Sequence, residues 1–298
     1  MAEPSVFDIR IPLPSKDITN RAKTLLGFEE LYAKVHRQLR LLLLSNELEG
    51  WSKKHFGEKI PLVELVRDQY PLVIFYGDVG TGKTAMAEAI GNRLVAESKS
   101  EDSQLFKLSN RVRGSGMVGE MGSLIAAAFV EIGKACGKGN RSILIIDEAD
   151  SLAATRSQEH SHHEDKVAVN TLIQSIDDVR KYGGRVVVFF CTNRVDAIDP
   201  AILRRAALVE EFARPTDSQR HALFKDDLRV LDLSEPQIKE LVAATASKGN
   251  VPAFTYSDIR TRLYPAALAL AFPEHKLSFS HFKEVLATLK PSPVVDSN

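Results

Sequence analysis

One segment constrains the fold of this chain more than any other: residues 77–84, Gly-Asp-Val-Gly-Thr-Gly-Lys-Thr. The segment matches the pattern G-x-x-x-x-G-K-S/T, and it follows the aliphatic run Leu72–Tyr76. Glycines let successive backbone N–H groups turn inward around phosphate oxygens, and the first turn of a following helix adds favourable partial charge. The sequence therefore predicts a strand, a phosphate-binding loop and a helix. The predicted phosphate-binding residues are Gly77, Asp78, Val79, Gly80, Thr81, Gly82, Lys83 and Thr84.

Two acidic residues end another aliphatic run, because Asp147 and Glu148 come directly after Ile143–Ile146. Four aliphatic residues carry a strand through the interior of a sheet, so both carboxylates are expected at its carboxyl-terminal edge, where open α/β sheets bind ligands. With Lys83 reaching the β- and γ-phosphates of ATP, we expect Thr84 and Asp147 to hold Mg²⁺. We expect Glu148 to deprotonate the attacking water.

Three more polar residues follow a third aliphatic run, Val186–Cys191. Asn193 comes two residues after this run, where its side chain would hold the attacking water opposite Glu148. Arg204 and Arg205 come eleven and twelve residues after Asn193. An arginine pair alone fits a solvated ion-pairing surface equally well, so its interpretation depends on the motifs that precede it.

Short apolar strands alternate with helical segments in the first two thirds of the chain, which predicts an α/β fold with a parallel sheet covered by helices on both faces. The predicted strands are Leu72–Tyr76, Leu105–Leu108, Ile143–Ile146 and Val186–Cys191, and a helical stretch is predicted over 20–56. Only helical patterns follow Pro215. The predicted domains are an extended N-terminal segment at 1–17, a large α/β domain at 18–214, a smaller helical lid at 215–290 and a loose tail at 291–298.

Composition argues against several classes of protein. The 298 residues include 39 Lys plus Arg and 39 Asp plus Glu, so the net charge is zero and does not favour nucleic acid as a partner. The apolar runs are far shorter than the roughly 20 residues that span a bilayer, and no signal peptide is visible. Two cysteines, Cys136 and Cys191, exclude a disulfide scaffold. We therefore expect a cytoplasmic protein without a membrane partner.

The order of these motifs resembles that of the AAA+ ATPases, and residues 191–205 are similar to the second region of homology of their classical clade. The resemblance extends over roughly residues 16–290 and implies a P-loop α/β domain with a helical lid that hydrolyses ATP. It implies that Asn193 is sensor one. It also implies that Arg204 and Arg205 are arginine fingers, which act on the nucleotide of a neighbouring subunit and so require a ring, expected to be a homo-hexamer.

One departure from the clade narrows the resemblance. Classical members continue with a Gly-Arg pair, whereas residues 206–212 are Ala-Ala-Leu-Val-Glu-Glu-Phe. This shortened pattern and the helix over 165–177 resemble those of the pachytene-checkpoint ATPases, which remodel HORMA-domain proteins. The resemblance to a compact bacterial relative of that group implies a motor that remodels or partly unfolds a protein substrate. It implies a HORMA-domain partner in an antiphage signalling system.

The helical lid carries a weaker match. Residues 256–262, Tyr-Ser-Asp-Ile-Arg-Thr-Arg, resemble the opening of the helix that carries sensor two in many AAA+ proteins. The resemblance implies that Arg260 or Arg262 contacts the γ-phosphate from the same subunit. Spacing does not choose between the two, and a plain surface arginine is an equal alternative for either.

Two loops resemble substrate-contacting loops of the same family. Residues 114–120, Gly-Ser-Gly-Met-Val-Gly-Glu, are similar to the first pore loop, which implies that Met117 and Val118 grip a translocating polypeptide. A flexible connector is the alternative for this segment. The polar run that contains His160, His162 and His163 fits a mobile second pore loop better than a metal site.

Three functions are compatible with these features. The first is the ring-forming motor that remodels a protein. The second is a nucleic-acid-associated ATPase of the clamp-loader or helicase-loader type, which the zero net charge and the lack of an evident DNA-binding appendage disfavour. The third is a nucleotide-gated scaffold that hydrolyses little ATP, and the presence of both Glu148 and Asn193 argues against it.

Overall fold

The computed structural model describes residues 6–98, 100, 102–108, 120–153 and 163–294. The chain forms two compact units. The first consists of Met1–Tyr76 and Thr84–Glu211, and the second consists of Gly77–Lys83 and Phe212–Asn298. The boundary after Glu211 lies three residues before the boundary predicted at 214/215, and the predicted phosphate-binding loop groups with the second unit rather than with the first.

A six-stranded sheet runs through the first unit, with the spatial order β1-β3-β4-β5-β2-β6. Its strands are β1 (Phe7–Leu13), β2 (Leu72–Gly77), β3 (Ser103–Leu108), β4 (Ser142–Ile146), β5 (Val186–Thr192) and β6 (Leu208–Phe212). The neighbours β3 and β4, β4 and β5, and β5 and β2 pair in parallel, whereas β1 pairs antiparallel with β3. The predicted α/β fold with a parallel sheet is confirmed.

Helices cover both faces of this sheet. They are α1 (Lys16–Ala22), α2 (Phe28–Leu43), α3 (Ser45–Phe56), α4 (Pro61–Arg67), α5 (Lys83–Ser98), α6 (Glu120–Cys136), α7 (His163–Val179) and α8 (Pro200–Leu203). Every residue of β4 and β5 is buried, which explains why these strands are apolar between their terminal residues Ser142 and Thr192 rather than alternating. The side chains of α6 and α7 pack against one face, and Gly91 of α5 approaches Ile143 on the other face.

Three parts of the first unit differ from the sequence prediction. The segment 1–17, predicted as a separate extended segment, contributes β1 to the sheet, and Pro12 is tolerated because β1 is an edge strand. The predicted helical stretch 20–56 is divided into α1, α2 and α3, with Gly27 at φ +74° before α2. The strand β6 has no predicted counterpart because its two glutamates interrupt any apolar run.

The second unit is helical apart from the loop Gly77–Lys83, as predicted for the lid. Its helices among the described residues are α9 (Asp217–Asp227), α10 (Glu235–Ala244), α11 (Tyr264–Ala271) and α12 (Phe279–Leu286). A π-helical turn, Asp258–Leu263, leads into α11. Capping boxes begin α9 at Thr216 and α10 at Ser234, and the buried side chains of Phe224, Leu241 and Phe282 contribute to its core. No helix in the described part of the chain is long and apolar enough to cross a membrane.

Residues 291–294, which lie in the segment predicted as a loose tail (291–298), are attached to the second unit by hydrogen bonds. Ser292 donates its backbone N–H and its hydroxyl to the carboxylate of Asp258, at 3.1 and 2.6 Å, and Asp258 is 1% exposed. Burial raises the pKa of Asp258, but these bonds and one from the backbone of Thr255 outweigh burial and lower it. The prolines around Ser292 exclude a helix, but they do not reveal that a distant carboxylate holds the segment.

Candidate active site

The predicted phosphate-binding loop joins β2 to α5 through a strongly curved backbone. Gly77 has φ +133° and Gly80 has φ +78°, which are conformations that other residues rarely adopt. Neither position has room for a side chain. A Cβ atom at Gly77 would lie 2.3 Å from the carbonyl oxygen of Phe212, and one at Gly80 would lie 2.7 Å from the Cβ of Ser257. The glycines are therefore required by both conformation and space.

The side chain of Lys83 lies inside this loop. Its ammonium group donates to the carbonyl oxygens of Gly77 and Asp78, both at 2.8 Å, and the residue is only 7% exposed. The hydroxyl of Thr81 donates to the same carbonyl of Asp78 at 2.8 Å. The loop thus encloses a positive charge, and a charged phosphate oxygen is a stronger acceptor for it than a neutral carbonyl.

A direct hydrogen bond joins the start of α5 to the end of β4. The hydroxyl of Thr84 donates to Oδ2 of Asp147 at 2.8 Å, and both Asp147 and Glu148 are exposed after the buried strand. Glu148 has φ +48° and ψ +44°, a sparsely populated conformation for a residue other than glycine. Its backbone N–H donates to Oδ1 of Asp147 at 3.1 Å. The two predicted Mg²⁺ ligands are therefore brought together, with Glu148 adjacent.

These oxygen atoms fit magnesium better than zinc or iron. Mg²⁺ is bound in nucleotide sites by one or two protein oxygens, with phosphate and water completing its octahedron. The hydroxyl of Thr84 and the carboxylate of Asp147 supply such a pair. In the described ranges, no three His, Cys, Asp or Glu side chains cluster as ligands for a metal ion.

The end of β5 lies at the same edge of the sheet as the ends of β4 and β2. In the parallel register Ile146 lies opposite Phe190, and Tyr76 lies opposite Thr192. The half-buried Asn193, predicted as sensor one, therefore follows the strand between the other two. The hydroxyl of Thr192 donates to Asp150 at 2.6 Å and accepts from the backbone N–H of Arg194 at 3.0 Å. Thr192 and Asp150 thus hold the turn at Asn193.

The predicted arginine fingers have different surroundings. The guanidinium of Arg205 forms two bonds with the carboxylate of Asp177, at 2.7 and 3.0 Å, and lies 5.4 Å from the ring centre of Tyr70. The hydrogen bonds from Arg205 lower the pKa of Asp177 despite partial burial. Arg204 is exposed, and among the described residues it makes no ion pair. Its Nε donates to the carbonyl oxygen of Pro200 at 3.2 Å.

Both candidates for sensor two lie in the π-helical turn and pair with carboxylates of their own unit. Arg260 donates through Nε and Nη2 to the two carboxylate oxygens of Asp227, both at 2.8 Å. Arg262 donates to Asp258 at 2.9 Å. Each arginine is therefore already paired with a carboxylate, Arg260 through a bidentate pair and Arg262 through a single bond.

Two groups of predicted residues fall outside the described ranges. Met117 and Val118, predicted as the first pore loop, belong to 109–119, and α6 begins directly after them at Glu120. His160 and His162 belong to 154–162, and α7 begins at His163. The role of these loops therefore stays a prediction.

Sequence reasoning missed the partner residues of the site. Thr192 and Asp150 position the turn at Asn193, Asp177 holds Arg205, and Arg214 forms an ion pair with Asp78 of the phosphate loop at 2.6 Å. Only the position of Thr192 at the end of a buried strand carried a local signal. The other partners are separated in sequence by up to 136 residues.

A glycine-lined phosphate loop, a hydroxyl–carboxylate pair and an adjacent glutamate, built on a parallel sheet, define a P-loop nucleoside-triphosphatase with a helical lid. The ATPase family associated with various cellular activities (AAA) matches residues 73–214. CD-NTase-associated protein 6 of Escherichia coli strain KTE188 is 60% identical over 295 residues, covering 99% of this chain and 99% of that protein.

Solved structures agree with this match. A chain in the structure of the E. coli MS115-1 HORMA:CdnC:Trip13 complex has a TM-score of 0.89 and 36% identity, and the match covers 99% of this chain and 100% of that chain. The structure of Rhizobiales Trip13 has a TM-score of 0.71 and 31% identity, with 96% of this chain and 99% of that chain covered. The chain therefore belongs to the AAA ATPase family, in the group of CD-NTase-associated protein 6, and it is an ATP-hydrolysing enzyme. The predicted family is confirmed.

Substitution of Gly80 tests whether the loop requires its backbone geometry. Replacing Gly80 with alanine should weaken the binding of a fluorescent ADP analogue at least about tenfold, because a strained backbone costs on the order of 1–3 kcal/mol and the new Cβ meets Ser257. Gly50→Ala is the matched control, since Gly50 lies in α3 with no atom within 4 Å of an added Cβ. Equal affinity of the two variants would contradict the required geometry of the loop.

Proposed function

We propose that this protein is a ring-forming ATPase motor that remodels a HORMA-domain protein in a bacterial antiphage signalling system. The observation that carries the proposal is the full-length match to a chain in the E. coli MS115-1 HORMA:CdnC:Trip13 complex. The 60% identity to a CD-NTase-associated protein over 99% of both chains supports the same assignment. The alternative, a loader ATPase acting with nucleic acid, is disfavoured by the zero net charge.

The residues at the sheet edge have distinct roles in hydrolysis. Lys83 exchanges the carbonyl oxygens of the loop for the β- and γ-phosphate oxygens of ATP. Thr84 and Asp147 hold Mg²⁺, which neutralises negative charge on the phosphates when it is bound. Glu148 takes a proton from the attacking water, and Asn193 orients that water from the neighbouring strand.

The surroundings of the two arginines support different roles for them. Arg204 is the arginine finger, because its exposed guanidinium makes no ion pair in the described part of the chain. It reaches the γ-phosphate of the adjacent subunit in a homo-hexameric ring. Arg205 is a positioning residue, because Asp177 of α7 holds its guanidinium through two bonds within the same subunit. The carbonyl oxygen of Ala201, one turn before it, accepts a further bond at 2.8 Å, which orients the short helix α8.

Met117 and Val118 grip the substrate polypeptide in the pore, a role that rests on the resemblance of residues 114–120 to the first pore loop of the family. Of the two candidates for sensor two, Arg262 exchanges its single bond to Asp258 more readily than Arg260 exchanges its bidentate pair. Both cysteines are buried free thiols, which fits the reducing cytoplasm.

Replacement of Glu148 tests the hydrolytic step. Glu148→Gln should bind ATP normally but release phosphate at least ~100-fold more slowly, because loss of a general base costs about 10²–10⁴ in rate. Glu211→Gln is the control, since Glu211 is an exposed glutamate at the end of β6. Phosphate release by Glu148→Gln at nearly the wild-type rate would remove Glu148 from the mechanism.

Separate replacement of the two arginines tests action across subunits. Arg204→Ala should slow turnover by roughly 10³-fold or more with ATP affinity retained, because arginine fingers contribute about 10³–10⁵ in rate. Arg205→Lys should slow turnover only about tenfold, since it weakens the bond to Asp177 that positions the residue. Mixing Arg204→Ala with Glu148→Gln subunits should restore part of the activity, because some interfaces then contain both groups. If confirmed mixed rings stay inactive, Arg204 does not act in trans.

A purified HORMA-domain protein tests the substrate assignment. We expect its ATP-dependent conversion between conformers, or its release from a bound peptide, with the wild-type ATPase and not with Glu148→Gln. The measurement is separation of the conformers by ion-exchange chromatography, with ATP turnover followed in the same sample. Strong stimulation of turnover by DNA, with no change in the HORMA protein, would instead favour the loader function.

A further inference from the structure

The side chain of Arg214 joins three separate segments of the second unit. Its Nε donates to Oδ2 of Asp78 in the phosphate loop at 2.6 Å, and its Nη1 donates to the carbonyl oxygen of Ala253 at 2.6 Å. Its Nη2 donates to the carbonyl oxygen of Pro293, near the C-terminus, at 2.9 Å. The side chain of Arg214 is 10% exposed and that of Asp78 is 16% exposed. One guanidinium therefore connects the phosphate loop to a C-terminal segment more than two hundred residues away in sequence.

The C-terminal segment has a second attachment in the same unit. We call residues 291–294 the C-terminal strap. Ser292 of the strap donates its N–H and hydroxyl to Asp258, and the backbone N–H of Thr255 donates to the same carboxylate at 3.0 Å. The strap is therefore held at two points, by the buried Asp258 of the π-helical turn and by Arg214.

The segment that leads into the π-helical turn contacts the phosphate loop. The backbone N–H of Ser257 donates to the carbonyl oxygen of Gly80 at 3.0 Å, and Gly80 lies too close to Thr255 and Ser257 to accept a Cβ. The loop, Arg214, the strap and the turn therefore form a closed circuit of hydrogen bonds. A displacement of any one of them must lengthen bonds in the others.

Asp78 connects this circuit to the phosphate-binding lysine. Its side chain is held by Arg214, whereas its carbonyl oxygen accepts from the ammonium group of Lys83 and the hydroxyl of Thr81. The carboxylate of Asp78 would repel the phosphates of a nucleotide unless a cation neutralised it, and Arg214 supplies that cation. Lysine at position 214 would keep the charge but could not present the planar guanidinium fork to three acceptors.

We propose that Arg214 is a positioning residue for the phosphate loop, and that it couples nucleotide binding to the C-terminal strap. Nucleotide binding tightens the circuit and protects the strap, and a loosened strap weakens nucleotide binding by the same factor, since coupling between two sites is reciprocal. This inference rests on the proposed phosphate site at residues 77–84.

The first measurement is affinity for a fluorescent ADP analogue with full-length variants. Arg214→Lys and Ser292→Pro should each weaken binding roughly tenfold, because each removes charge-assisted hydrogen bonds from the circuit. Arg229→Lys is the matched control, since Arg229 is an exposed arginine of the same unit outside the circuit. The double variant Asp78→Asn with Arg214→Lys should lose less binding free energy for the analogue than the two single variants lose in sum.

The second measurement separates coupling from a general structural role. Saturating ADP analogue should slow hydrogen exchange at the backbone amide of Ser292 at least severalfold in the wild-type protein but not in Asp78→Asn, with thermal unfolding recorded to confirm folding. Lys83→Ala serves to test the site itself. If Lys83→Ala binds nucleotide like wild type, the proposed phosphate site fails. The coupling is refuted if Lys83→Ala loses nucleotide binding but nucleotide does not change the hydrogen exchange of Ser292 in the wild-type protein. It is also refuted if Arg214→Lys and Ser292→Pro both bind nucleotide with wild-type affinity.

Discussion

Complete burial of the central parallel strands is the constraint on which the rest of the structure depends. Because β4 and β5 are buried along their whole length, their interior positions are apolar, and polar side chains occur only at the strand ends or beyond them. Parallel pairing brings those ends to one edge of the sheet, which places Asp147 and Asn193 after neighbouring strands. The hydrogen bond from Thr84 to Asp147 then joins the phosphate loop's helix to the same edge. The position of the proposed catalytic groups thus follows from the way the strands are covered.

Carboxylate partners distinguish arginines that look equivalent in the sequence. Arg205 is held by Asp177 and Arg260 is held by Asp227, each through two hydrogen bonds. Such bidentate pairs fix a planar guanidinium in one orientation, so they suit positioning better than transient contact with a phosphate. Arg204, which is exposed and makes no ion pair in the described part of the chain, has the freedom that contact with a neighbouring subunit requires.

The phosphate loop, Gly77–Lys83, belongs to the helical unit and is bonded to it. The backbone of Gly80 accepts a hydrogen bond from Ser257, and Asp78 is paired with Arg214. These contacts give the helical unit a direct grip on the segment that encloses Lys83.

The sequence by itself determined the strands β2 to β5, the phosphate loop and the pair Asp147–Glu148, because each is specified by consecutive residues. An unbroken apolar run predicts a buried strand, and closely spaced glycines before a lysine predict a phosphate-binding loop, without information from the rest of the chain. The same local information was sufficient for the family, the two-part fold and the hydrolytic activity, all of which the comparisons support. It did not choose between Arg204 and Arg205, because the two residues are of the same type and their spacings from every motif differ by only one residue.

Only the tertiary structure decided which residues surround those motifs. In the folded chain residues 7–13 form β1, Ser292 bonds to Asp258, and Arg214 pairs with Asp78, which lies 136 residues away in sequence. An ion pair or an edge strand needs a partner from elsewhere in the chain, and no period or motif near either partner encodes it. Chain folding alone brings such partners within hydrogen-bonding distance. Short stretches of local sequence therefore specify the residues of the proposed site, whereas the contacts of those residues with their surroundings depend on long-range packing.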